Sequence, residues 1–147
     1  MRAMLICCGF LSFATLANGA EDARKEDLQR LQGKWKLVER IVDGTKTDIE
    51  LLWTISEKEI IQAEVGVLAK FEADATTKPR NFDITFVSKL DPKSLGKTFK
   101  GIYEIDGDTL KMCGPIGDEA KERPTTFESK EGSGVTLLVF KRVKNVK

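Results

Sequence analysis

The chain has 147 residues, 24 Lys+Arg against 23 Asp+Glu, three Cys and no His, and 41% of it is hydrophobic. This describes one globular domain with a real core, and the missing histidine excludes Ser-His-Asp and Cys-His catalysis, His-ligated zinc and His-ligated haem. A net charge of +1 provides no excess of cations to neutralise phosphates, so no nucleic-acid partner is expected.

Residues 1–20 read as a signal peptide. Arg2 supplies a short positive start, an apolar run extends from Ala3 to about Ala17, and Ala17-Asn18-Gly19-Ala20 is a small-residue cleavage zone. The apolar run is shorter than the roughly 20 residues a spanning helix needs, and Glu21-Asp22 follows it. Cleavage fits best after Ala17 or Gly19, with Ala20 a third option. No integral membrane span is expected afterwards, and the expected location is periplasmic or extracellular. Cleavage removes Arg2 from the 24 bases, leaving 23 against 23 acids, and removes Cys7 and Cys8. Cys113 then stands alone, so no intramolecular disulfide forms, and a small buried hydrophobe in a strand is the expected role for it.

The mature chain opens with an N-terminal helical segment over residues 21–32. The helix proper is placed over 22–32, with Asp22 as cap, Leu28 and Leu31 on one face and Gly33 as the stop. A β-barrel over 33–147 follows. Lys34 to Val42 reads as a strand, closed by the Asp43-Gly44 turn. Leu51 to Ser56 alternates, with Leu51, Trp53 and Ile55 on one side; Glu59–Val65 follows a turn at Glu57-Lys58. After Gly66, Val67, Ala69 and Phe71 alternate as far as Ala73. Phe82, Ile84 and Phe86 alternate cleanly within Asn81–Val87. Thr98–Ile105 and Thr109–Cys113 flank Asp106-Gly107-Asp108, a hairpin signature, with Phe99, Gly101, Tyr103 and Ile105 sharing a face. A long polar loop over 114–124 leads to a short strand at Thr125–Ser129, a turn at Glu131–Gly134 and a last strand at Val135–Val143.

Eight or nine short strands in hairpin order, each with a single apolar face, predict an all-β, antiparallel, up-and-down barrel with a short N-terminal helix plugging one end. Closure removes exposed strand edges, which matters where no disulfide holds the fold.

Gly33-Lys34-Trp35, after a helical turn, resembles the lipocalin signature. The resemblance implies that Trp35 sits at the closed end of a barrel and that Arg142, in Phe140-Lys141-Arg142-Val143, packs across it. Several runs in order extend the likeness: Leu31–Trp35, Gly101–Lys111, Glu122–Phe127, Gly132–Gly134 and Leu137–Arg142. Together, over residues 27–144, they resemble an uncharacterised family of small exported lipocalin-like domains expanded in planctomycete bacteria. The chain departs from that pattern at Glu64–Leu68, where the family is more Gly-rich. The resemblance implies a barrel and export, and brings no catalytic residues with it.

The residues offer little catalytic chemistry. Asp106 and Asp108 flank a turn glycine, where Asp is favoured by local backbone hydrogen bonding; Asp83 and Glu104 suit solvated outer faces. Asp106-x-Asp108 lacks the further oxygen ligands of a Ca²⁺ loop. No catalytic constellation, metal or cofactor is expected. The ligand-binding candidates, at the lumen or its mouth, are Trp53, Phe86, Tyr103 and Arg123, with Arg123 a possible anion partner; Gly101 and Ala69 are the small residues that could leave room. Trp35 and Arg142 are expected to close the barrel. The first functional expectation is a module that binds a small apolar or amphiphilic molecule in the lumen. The alternative is a solid-core interaction or structural domain meeting an envelope protein through its loops.

Overall fold

The computed structural model describes residues 15–117 and 121–144, with side chains from Gly19 onward. Most of the signal's apolar run, Cys7, Cys8, Asp118 and the tail from 145 lie outside the described residues.

A single helix, α1 (Thr15–Leu31), precedes nine strands: β1 (Gly33–Val42), β2 (Thr45–Lys46), β3 (Leu52–Ile55), β4 (Glu59–Gln62), β5 (Gly66–Asp74), β6 (Arg80–Phe86), β7 (Thr98–Asp106), β8 (Thr109–Pro115) and β9 (Val135–Arg142). Every strand pairs antiparallel with the next, except that β1 pairs with both β2 and β3 along one edge. Its other edge pairs with β9, Trp35 opposite Arg142 and Val42 opposite Thr136. Eight strands therefore close into a barrel, and β2 is an extra strand hairpinned onto the end of β1. The two-residue turns at Asp43-Gly44 and Gly107-Asp108 can join only antiparallel neighbours, and the longer connections before β6, β7 and β9 keep the same order.

The core is the inward face of these strands. Trp35, Leu37, Trp53, Ile55, Ile60, Phe71, Phe82, Ile84, Tyr103, Leu110 and Phe140 are all buried in one cluster, which Leu31 of α1 joins from below. The helix lies across the end of the barrel where β1 begins and β9 finishes.

Four local expectations differ from the structure. Helix is already present at Thr15, the first described residue, so Asp22 lies within it and caps nothing; Leu16, Ala17, Ala20 and Glu21 are good helix formers that carry it upstream of Asp22. Residues 125–129 form no strand. Both edges of β8 are already taken, by β7 and β9, so the segment has no ladder to join. Val67 is exposed rather than inward. Leu68 is an extra residue in β5, since Ile60 faces Ala69 while Ile61 faces Val67, and this bulge reverses the alternation. Gly101 leaves no room in the lumen, because the Phe82 ring lies over it.

A Cβ at Gly101 would stand 2.2 Å from Phe82 Cζ and 2.5 Å from the Cys113 carbonyl oxygen. The ring could rotate away, but the β8 backbone cannot do so without breaking its ladder. Gly101→Ala is therefore expected to lose about 1–3 kcal/mol by overpacking, measured as a lower urea midpoint. An unchanged midpoint would mean that β7 and β8 leave space for a methyl group at this position.

Candidate functional site

Two ends of the barrel have different chemistry. At the helix end everything is tied. The Trp35 indole Nε1–H donates to the Leu31 carbonyl at 2.7 Å, and the Arg142 guanidinium lies 4.2 Å from the centre of the Trp35 ring. The same guanidinium donates to the Gln32 carbonyl at 2.8 Å and to the Arg30 carbonyl. These are carbonyls at the helix C-terminus that the helix itself leaves unpaired. Gly33 permits this approach, for its φ is +120° and a Cβ there would meet Arg142 Nη1 at 3.0 Å. Asp27, on the buried face of α1, accepts from the Tyr103 hydroxyl at 2.8 Å and pairs with Arg80 Nε at 2.9 Å. Burial, with the Asp27 bond second, raises the Tyr103 phenol well above its ordinary pKa.

The opposite end is open. A cavity of about 370 Å³ enters there, within the roughly 300–1,000 Å³ range of small-molecule sites. Its wall is apolar and aromatic: Trp53, Phe82, Ile84, Phe86, Phe99 and Leu138. Arg40, Asp91, Ser94 and Thr136 are its polar members. Phe86 and Phe99 meet edge to face at 5.5 Å, and Trp53 packs on Phe140 at 4.9 Å. Trp53 Nε1–H is buried and has no hydrogen-bond partner among the described residues. Phe86 sits just below the loop at 88–97, whose Asp91 and Ser94 form part of the mouth.

Trp53 and Phe86 thus line the cavity, while Tyr103 and Arg123 stand elsewhere. Tyr103 belongs to the helix end. Arg123 lies against the outer wall, where its guanidinium donates to the Phe82 carbonyl at 2.8 Å, the Gly101 carbonyl at 2.6 Å and the Asp83 carboxylate at 2.7 Å. It clamps the β8–β9 loop to β6 and β7, beside an outer-surface hollow shared with Arg24, Glu72 and Asp74. Asp108 pairs with Arg142 and Lys144, and Glu104 with Lys111.

Arg40 is the lumen cation that alternation misassigns. Counting from Trp35 and Leu37, Glu39 and Ile41 should point inward and Arg40 outward. Val38 is an extra residue, however: Leu37 faces Phe140, while Glu39 faces Val139 and Arg40 faces Leu138. The bulge turns Arg40 inward and leaves Val38 exposed. A signal was present in the sequence, because a strict alternation would have buried Glu39.

Cys113 is wholly buried in β8. Burial pushes its thiol from an ordinary 9.0 up to about 11. The unfolded chain releases this proton near pH 9 and the folded chain keeps it until near 11, so unfolding releases a proton in between. Stability is therefore expected to fall from pH 9 to 11, and Cys113→Ala should flatten that part of the profile. A variant with the wild-type slope would place the titration elsewhere.

Comparison with family models, with curated proteins and with solved structures found no match.

Proposed function

We propose that this chain is an exported lipocalin-like domain that binds a small apolar or amphiphilic molecule in its barrel. The observation that carries the reading is the apolar cavity of about 370 Å³, open at one end and backed by a sealed end. A lumen with no ligand to hold is normally filled by side chains, and interiors pack to crystal-like density. The reading is of binding rather than catalysis: the polar groups around the cavity are one Arg, one Asp and two hydroxyl residues, and the one hydroxyl–carboxylate contact among them, Ser94 to Asp91, is a local bond of the exposed loop. Export is supported by the leader-like residues 1–20 and places the domain in the periplasm or medium.

Native mass spectrometry of protein purified from its own compartment tests this. A co-purifying small molecule, released on denaturation, is the expected result. Repeated recovery of bare protein, with no thermal shift across a lipid and metabolite panel, would overturn it.

One observation favours the alternative of a protein-docking module. Leu90 is 71% exposed and Leu95 is also exposed, both on the loop at the cavity mouth. Two apolar side chains in one loop make a small patch, so this reading stands second; it requires the loop, rather than the lumen, to carry the binding energy.

A further inference from the structure

We infer that the lumen takes an anionic amphiphile, a monocarboxylate on a medium-length alkyl chain, with its carboxylate held by Arg40. This deepens the binding reading and rests on it. Six arginines lie among the described residues. Arg24, Arg30, Arg80, Arg123 and Arg142 each have a carboxylate within ion-pair distance. Among the described residues, Arg40 alone makes neither an ion pair nor a side-chain hydrogen bond, although the bulge at Val38 aims it into an apolar barrel. A half-buried, unpaired guanidinium loses hydration and gains nothing in return, and its planar fork matches a carboxylate.

Asp91, the other charged member of the mouth, is not its partner. The Asp91 carboxylate accepts from the Ser94 hydroxyl at 2.6 Å and the Lys93 N–H at 3.1 Å within its own loop. The wall below the mouth suits an alkyl chain, with Phe82, Ile84, Phe86, Phe99 and Leu138 around it. Trp53 lies deeper. Its strand partner is Trp35, five residues before Arg40 on β1, or about 16 Å of backbone at roughly 3.3 Å per residue. A neutral chain would leave Arg40 unpaired, and a cationic one would be repelled.

The test compares decanoate, decanol and decyltrimethylammonium by calorimetric titration, against the wild type and Arg40→Met. Decanoate should bind the wild type about tenfold or more tightly than decanol, the scale of one charge-assisted hydrogen-bond pair. Decyltrimethylammonium should bind weakest, and Arg40→Met should bring decanoate level with decanol. Raising the salt concentration should weaken decanoate and spare decanol in the wild type, an arm that needs no variant to fold. Equal affinity for decanoate and decanol, or no effect of the substitution in a folded variant, would overturn the role of Arg40 and leave a lumen that binds apolar chains. Failure of all three probes to bind would overturn the anionic occupant and count against the binding reading itself.

Discussion

Trp35→Ala should lower folding stability by about 3–5 kcal/mol, the range for truncating a fully buried aromatic. Trp35 has no exposed surface, so the whole ring volume becomes a cavity. Two further interactions leave with it: the indole bond to the Leu31 carbonyl and the face on which the Arg142 guanidinium rests. Both join the barrel floor to the C-terminal turn of α1, so the helix end should lose amide protection before the strands do. Urea unfolding gives the total cost. A double-mutant cycle with Arg142→Ala isolates the ring–guanidinium coupling, expected at about 0.5–2 kcal/mol. A coupling of zero would mean that Arg142 acts only on the helix carbonyls, and a total below 1 kcal/mol would remove Trp35 from the centre of this fold.

Asp27→Ala should cost about 2–4 kcal/mol. Breaking a buried ion pair by removing one partner costs about 3–5 kcal/mol, and the partial exposure of Arg80 reduces this. The loss is asymmetric. Asp27 accepts from Tyr103 and pairs with Arg80 and, at 3.7 Å, with Arg30, so its removal strands a buried phenol hydroxyl and two guanidinium groups together. Tyr103→Phe removes one donor and leaves Asp27 its arginines, for about 1 kcal/mol. The expected order is thus Asp27→Ala well above Tyr103→Phe in lost stability, with Asp27→Asn between them. Equal costs for Asp27→Ala and Tyr103→Phe would make the arginine pairs surface contacts of little consequence.

These two substitutions bear on function through the sealed end. α1, Trp35, Arg142 and the Asp27 cluster close the end of the barrel opposite the cavity. Weakening them should release the helix and allow water to reach the lumen from below, where Trp53 stands.

Much of the architecture was legible because it depends on local periodicity. Phe82 and Ile84 are buried on one face of β6, and Phe99, Tyr103 and Ile105 on one face of β7, as period-two alternation requires. The hairpin between β7 and β8 turns at Gly107-Asp108 within the Asp-Gly-Asp signal. The site was less legible. Trp53 and Phe86 line the cavity, and both are large apolar residues on well-patterned strands. Tyr103 and Arg123 carry polar ends, and the nearest complementary group claimed each of them: Asp27 from a helix 76 residues away, Asp83 from a strand 40 residues away. No local pattern reports such distant partners. Gly101 looked like empty space and is instead the seat of the Phe82 ring.

The sequence by itself determined most of the strands, their antiparallel order and the inward faces of β6 and β7, because these follow from turn chemistry and alternation within each short segment; it also offered a strand at 125–129 that does not form and gave no sign of β2. Only the tertiary structure decided where the alternation reverses. A bulge costs one extra residue in a ladder, and its position depends on the facing strand. At Leu68 this turned Val67 out to solvent, and at Val38 it turned Arg40 into the barrel, giving an apolar lumen a guanidinium that has no partner among the described residues.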